Sequence, residues 1–310
     1  MSVFNNEDSL DKAIESILNQ TFRDFEFIII NDASSDKSPQ IIKFYKDKDK
    51  RIRYLENKKN IGLTASLNKA LRAAKGEFIA RIDADDISLS KRLELQVSFL
   101  ENNKDIFLVG GGAVLIDEDG NNIGLFRPVK NITGIIKEIK KRNPIYHPTI
   151  MFRNNKGIFY REKFKYSQDY DLYLNLITSG LKLANIQAPL IKYRVNSNSI
   201  SNTKAVKQRL FAAKAIEFYK ERIRQRFDNY KSFNTEDIEN YKIENIRDKE
   251  ALVIGIKTSI KEKNPALSRN FYKVYHKLFG FDHRVVYYFI TFIPIKFISL
   301  LLRPKGNPPR

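Results

Sequence analysis

Asp83, Asp85 and Asp86 stand within four positions of one another in "FIARIDADDISL", directly after an apolar run of Phe78, Ile79, Ala80 and Ile82. Like charges this close repel, so the stretch is either a solvated turn or a site that recruits a cation. Carboxylates suit a hard divalent ion, Mg²⁺ or Mn²⁺, which needs only one or two protein carboxylates beside water and substrate phosphates. Such an ion neutralises a diphosphate and makes it a better leaving group. The EF-hand spacing is missing, because no Gly and Glu stand at the later ligand positions.

Two further acids sit at informative places. Asp32 follows the apolar run "FEFIII", and Asp169 lies near the start of "SQDYDLYLNLITSG". His147 precedes Pro148 in an extended-looking segment, which fits a structural or substrate-positioning imidazole better than a ligand or base. The chain has no cysteine and three histidines. That excludes disulfides, thiolate zinc sites and a cysteine nucleophile. No GxxxxGK[ST] or strand-linked GxGxxG is present, so Gly110, Gly111 and Gly112 are read as backbone permissiveness.

The elements around these residues must position them. "SLDKAIESILNQ" puts Leu10, Ala13, Ile14, Ile17 and Leu18 on one helical face. "FEFIII" reads as a strand buried on both faces. "SPQIIKFYKDK" reads as a helix with Ser38 as N-cap and Pro39 in its first turn. "RIRYLE" is a strand, and "LTASLNKALRAAKG" a helix stopped by Gly76. The alternation predicts a doubly wound parallel α/β sheet with right-handed crossovers. Ligands bind such sheets beyond the carboxyl ends of the strands, where both Asp32 and the acid trio fall. That shared location favours a site over a solvated turn. Further on, "HPTIMF" and "PLIKYRV" read as extended, the latter offering Lys192 and Arg194 either to a diphosphate or to solvent. A soft boundary near residue 202 separates this domain, 1–202, from a helical, basic region, 203–310.

The chain has 310 residues, 42% hydrophobic and 29% charged, enough for one large α/β domain with an appendage. Its net charge of +19 calls for an anionic partner: nucleic acid, a membrane surface or phosphorylated substrates. From Lys257 to Arg310 there are eleven Lys/Arg against two acids. No signal-peptide pattern opens the chain, and no stretch of about 20 residues is cleanly apolar. The segment 284–303, broken by Pro294 and Lys296, is expected to lie in an anionic membrane interface; a buried or oligomer-contacting helix is the other reading. Nucleic acid is not expected, since the strand-end acids would repel phosphate and no recognised binding motif is present.

Four ordered stretches carry a family resemblance: "SVFNNEDSLDKAIESILNQTFRDFEFIIINDASSD", "NIGLTASLNKALRAAKGEFIARIDADDISLSKRLELQ", "HPTIMFR" and "QDYDLYLNL". Over residues 1 to 200 the chain resembles a family 2 glycosyltransferase with the GT-A fold. The resemblance implies a mostly parallel sheet flanked by helices. It also implies transfer, with inversion, of a sugar from a nucleotide diphosphate donor, with UDP-sugars favoured, to a saccharide acceptor. Cell-surface polysaccharide synthesis on a lipid-linked acceptor, at the cytoplasmic face of the membrane with Mn²⁺ or Mg²⁺, is the context it implies. By resemblance Asp32 receives the uracil imide, although an Asx-turn would also use it. By the same resemblance Ser2 and Phe4 line the base pocket, Asp83 faces the ribose and metal water, Asp85 ligates the metal directly, and Asp86 contacts the metal or the donor sugar. Asp169 is the general base, the alternative being an ordinary acid at a helix N-terminus.

The chain departs from the family pattern in four places. Phe4 lacks a tyrosine hydroxyl, Gln168 replaces a glutamate, Asn175 replaces an arginine, and only "MSVF" represents the first strand. The last departure leads to the expectation that the true start lies upstream of Met1 or that the chain is a truncated copy. A non-catalytic relative that binds nucleotide-sugar or a membrane partner is the competing class.

Overall fold

The computed structural model describes residues 1–195, 204–261 and 264–280. Packing divides the chain into two units, residues 1–197 with 215–233, and residues 198–214 with 234–310.

In the first unit, β1 (Ser2–Val3), β2 (Phe27–Asn31) and β3 (Ile52–Glu56) form a parallel sheet in that order. The helices α1 (Glu7–Leu18), α2 (Ser38–Lys48) and α3 (Leu63–Ala73) connect and follow these strands. Helix α1 buries Leu10, Ala13, Ile14 and Ile17, the face its periodicity predicts. Pro39 does sit in the first turn of α2, but Lys37 occupies the N-cap position. Ser38 instead accepts the Asn6 N–H through its hydroxyl at 3.0 Å, tying α2 to the entry of α1. Helix α3 ends at a C-cap on Ala74, before the expected Gly76.

The second sheet is mixed. It comprises β4 (Phe78–Ala80), β5 (Ile87–Ser88), β6 (Ile106–Ile116), β7 (Asn122–Phe126), β8 (Met151–Arg153) and β9 (Lys182–Arg194). Only β6 and β9 pair in parallel; β4 with β8, β6 with β8, β5 with β9 and β6 with β7 are antiparallel. A mostly parallel arrangement therefore describes the first sheet alone. A five-residue turn, 117–121, joins β6 to β7, and so short a link permits only an antiparallel return. The strand leading into the acid trio, read as parallel from the sequence, bonds only to β8. The segment "HPTIMF" opens with a 3₁₀ turn over His147–Thr149 before becoming a strand.

The first two glycines of the 110–112 run have a packing role. A Cβ on Gly110 would stand 2.6 Å from Asn185 Oδ1, and one on Gly111 would stand 2.3 Å from Leu190 Cδ1. Strand β9 can lie this close only because β6 carries no side chains there. Strand β1 covers only Ile30 and Asn31 of β2, and the Met1 ammonium, buried, donates to the Ile28 carbonyl at 3.0 Å. Burial, followed by the Arg81 charge, pushes that amine down to about 5.

Helix α6 (Gln168–Thr178) is anchored by a buried charge network. Asp171 pairs with Arg161, which also bonds Asp228 at 2.7 Å and stacks on Phe164, Phe218 and Tyr230. In the second unit, α9 (Lys249–Lys261) and α10 (Pro265–Phe279) pack through Ala251, Leu252, Ile256, Phe271 and Tyr275. Two helices precede them, the long α7 (Ala205–Gln225), which crosses the division between the units, and the short α8 (Glu236–Glu239). Among the described residues no helix is long and apolar enough to cross a membrane. The boundary at 202 and the expected membrane-interface segment 284–303 lie outside the described residues.

Candidate active site

The acid trio occupies the loop between β4 and β5. One carboxylate oxygen from each of Asp83, Asp85 and Asp86 falls within 4.8 Å of the others. The three are not equivalent. Arg81, 6% exposed, forms two hydrogen bonds to Asp83 and so neutralises it locally. Asp86 is fully buried; its Oδ1 accepts the Arg194 backbone N–H at 3.0 Å, while its Oδ2 has no hydrogen-bond partner among the described residues. Burial and the Asp83 charge push Asp85 up to about 6, and burial with both neighbouring charges raises Asp86 well above the carboxylate range. Two proton-hungry carboxylates with a buried orphan oxygen form a hard-oxygen donor set that fits a divalent cation.

The loop is held from several sides. Arg92, buried, donates to the Arg81 carbonyl at 2.5 Å and the Ile150 carbonyl at 3.3 Å. Asn6 at the entry of α1 donates to the Ala84 carbonyl at 2.7 Å. Arg194, expected as a diphosphate partner or a surface charge, turns its guanidinium onto the carbonyls of Asp85, Asp117 and Glu118 at 2.6 to 3.2 Å. It is a strap across the loop.

Asp32 follows β2 and is buried. Its Oδ1 accepts from Asn57 Nδ2 at 2.8 Å and the Ile61 N–H at 2.9 Å, and its Oδ2 accepts the Gly62 N–H at 2.8 Å. Gly62 has φ of +84°, so a glycine is needed where the chain turns into α3. The Asx-type bond belongs to Asn31, whose Oδ1 accepts the Ser34 N–H at 3.0 Å. Ser2 lies in β1 opposite Ile30, and Phe4 is 51% exposed beyond the end of that strand.

Asp169 is the second residue of α6, preceded by Ser167 in the left-handed region at φ +55°. Asn143 Nδ2 donates to Asp169 Oδ2 at 2.6 Å. Burial raises the carboxyl, opposed by the Tyr170 N–H, the Arg81 charge and the Asn143 amide. Tyr173, fully buried one turn further along α6, has a hydroxyl with no hydrogen-bond partner among the described residues. His147 is buried against Tyr160, with Nε2 2.7 Å from the Tyr160 hydroxyl, and burial followed by the Arg81 charge drives it well below the usual histidine range. It is a neutral, tyrosine-bonded imidazole. Tyr146 stacks on Phe126 at 3.9 Å and meets Tyr193 edge-on at 5.2 Å. Tyr193 lies between Lys192, paired with Ile87 of β5, and Arg194, whose N–H bonds Asp86, so this aromatic wall borders the acid loop; burial raises both tyrosines, followed by Asp86 for Tyr146 and Asp83 for Tyr193.

Sequence reasoning missed Arg81, Asn143 and the Tyr146 wall. A lone arginine inside an apolar run, two residues from the first acid, was a signal for Arg81. Nothing local marked Asn143, which meets Asp169 across 26 positions of chain.

Residues 1–166 match the family model described as glycosyl transferase family 2. An uncharacterized glycosyltransferase of Methanocaldococcus jannaschii is 41% identical over 217 residues, 68% of this chain and 75% of its relative. The O-antigen biosynthesis glycosyltransferase WbnJ of Escherichia coli is 34% identical over 229 residues, 72% of this chain and 88% of that protein. Among solved structures, S. aureus TarS residues 1–349 in complex with UDP-GlcNAc matches 94% of this chain and 88% of its own, at a TM-score of 0.56 and 17% identity. The match spans 53% of the full-length TarS chain. The structural likeness supplies the fold, GT-A, and the sequence match supplies the kinship. The acid loop, Asp32 and Asp169 thus lie in a glycosyltransferase, and this chain belongs to glycosyl transferase family 2.

Proposed function

We propose that this enzyme transfers a sugar from a nucleotide diphosphate donor, a UDP-sugar, to a saccharide acceptor, with inversion at the anomeric carbon. The observation that carries this reading is the unequal treatment of four acids. Arg81 neutralises Asp83, Asp85 and Asp86 are left charge-strained with an orphan oxygen, and Asp169 stands apart in its own pocket. Asp85 and Asp86 would hold Mn²⁺ or Mg²⁺, which when bound offsets the negative charge of the departing diphosphate. Asp83, held by Arg81, faces the donor ribose. Asp32 keeps one acceptor position beyond its three bonds for the base N–H; Ser2 and the exposed ring of Phe4 line the same base.

Asp169 takes the proton of the acceptor hydroxyl as its oxygen bonds to the anomeric carbon. The bond from that carbon to the diphosphate oxygen breaks in line, and the electron pair leaves with the nucleotide. UDP as the nucleotide is supported by the ligand in the TarS structure, and polysaccharide synthesis by the role printed for WbnJ. A lipid-linked acceptor at the cytoplasmic face of an anionic membrane is supported by the eleven Lys/Arg against two acids from Lys257 onward.

The test is Mn²⁺-dependent release of nucleoside diphosphate across a panel of UDP- and GDP-sugars with crude lipid-linked acceptors. Turnover of a UDP-sugar that stops on chelation supports the proposal. Turnover that continues unchanged in excess EDTA removes the metal, and no turnover of any donor removes the enzymatic reading.

A further inference from the structure

Gln168 stands where the family pattern has a glutamate, so the residue before the base carries no charge. The structure supplies a different companion. Residues 139–146 connect α5 (Ile132–Glu138) to the 3₁₀ turn at His147, and Asn143 lies in that connection. Its own Oδ1 accepts the Ile145 N–H at 3.1 Å, which fixes the side-chain plane and aims Nδ2 at Asp169 Oδ2, 2.6 Å away. Three residues on, Tyr146 forms the aromatic wall beside the acid loop. One short segment therefore touches the candidate base at one end and borders the metal acids at the other.

We infer that Asn143 is the positioning residue for Asp169: its amide orients the carboxylate toward the acceptor hydroxyl and holds it ionised in a partly buried setting. This rests on the reading of Asp169 as general base. An amide donor is suited to the task because it can only donate through Nδ2 and so opposes protonation. A carboxylic acid at the same point would share its proton with Asp169 and push one of the pair upward.

The charged and titratable groups around Asp169 come from several elements. Arg81 follows β4, Tyr160 precedes α6, and Tyr173 lies within α6. Of these only Arg81 is cationic, and it is committed by two hydrogen bonds to Asp83. Besides Asn143, backbone N–H groups at the start of α6 oppose the burial that favours the protonated form. Removing the amide takes away the one side-chain donor that meets this carboxylate and leaves the Tyr170 N–H and the Arg81 charge to oppose burial. The carboxylate would also lose its fixed plane, so proton transfer should suffer more than donor binding.

The experiment follows the Asp169 carboxyl by ¹³C NMR titration of the full chain labelled at aspartate, with the resonance assigned by its loss in Asp169→Asn. In Asn143→Ala the titration should move up by about one pH unit, the worth of one hydrogen bond to a charged group. In Asn143→Asp, nearly isosteric and so a safeguard if the alanine variant fails to fold, it should move up by about two. With the donor found by the panel above, turnover should fall on the order of 10-fold to 100-fold while donor KM is unchanged. A titration that stays within a few tenths of a unit (about 0.3, on a one-unit expectation) in a folded variant overturns the inference. So does a fall in turnover accompanied by an equal rise in donor KM, which would mark a merely structural residue. If instead Asp169→Asn keeps full turnover, the base assignment itself fails, an outcome the Asn143 titration alone would not produce.

Discussion

The acid loop at 83–86 and the pocket around Asp169 use the same side chain for opposite ends. In the loop three carboxylates each bring an oxygen within 4.8 Å of the others, and the bidentate cation Arg81 is committed to Asp83. Charge is left over, and Asp85 and Asp86 are pushed toward protonation by burial and by one another's neighbours. Around Asp169 a single, partly buried carboxylate is met by a neutral amide. Excess negative charge suits a group that must accept a metal ion. A single, oriented carboxylate suits a group that must take one proton and give it up again. Environment, not residue type, divides the labour.

The largest expected effect comes from removing the pocket's charge. Asp169→Asn should cut turnover about 1,000-fold, or about 4 kcal/mol in barrier, while leaving Mn²⁺ affinity by calorimetry as it is. A variant that also loses Mn²⁺ would erase the distinction between the two regions. Next is the cation that serves both. Arg81→Gln removes a buried guanidinium and leaves the half-buried Asp83 beside two other carboxylates without its partner, and should cost about 3 kcal/mol in urea unfolding. If the loss were under about 0.5 kcal/mol, typical of a surface substitution, Arg81 would not be the counter-charge described.

The smallest effect carries a sign that separates the regions. The Asp85 carboxyl sits at about 6 in the folded chain against 3.8 unfolded. Its contribution is thus favourable below the unfolded value and is lost as pH rises through about 6. At neutral pH, without metal, Asp85→Asn should therefore raise stability by about 2 kcal/mol. Added Mn²⁺ should stabilise the natural protein and leave the variant nearly unchanged. A metal-free variant less stable than the natural protein at pH 7 and no different at pH 4 would reverse this account.

Much of the site could be read from the chain because it is local. The acids follow an apolar run, Asp32 follows another, and Asp169 sits where a helix begins; alternation and spacing are enough for such features. The partners are another matter. Arg194 straps the acid loop from 108 positions away, and Asn143 reaches Asp169 across 26. The direction of the strands was also poorly marked. An apolar tripeptide such as Phe78–Ala80 has the same period whether its neighbour runs up or down, so its antiparallel pairing with β8 left no trace in the pattern.

His147 shows the same limit. Its sequence setting allowed a structural or positioning role, and only its contact with Tyr160 in a buried pocket reveals an imidazole held neutral. By itself, then, the amino-acid sequence determined the α/β class, the kinship and the candidate residues for the site, because these depend on residue type and short-range order. The tertiary structure decided which carboxylate is neutralised, which is left wanting a cation and which stands alone. Those outcomes depend on desolvation and on charges brought together from distant parts of the chain, and both arise only when the chain is packed.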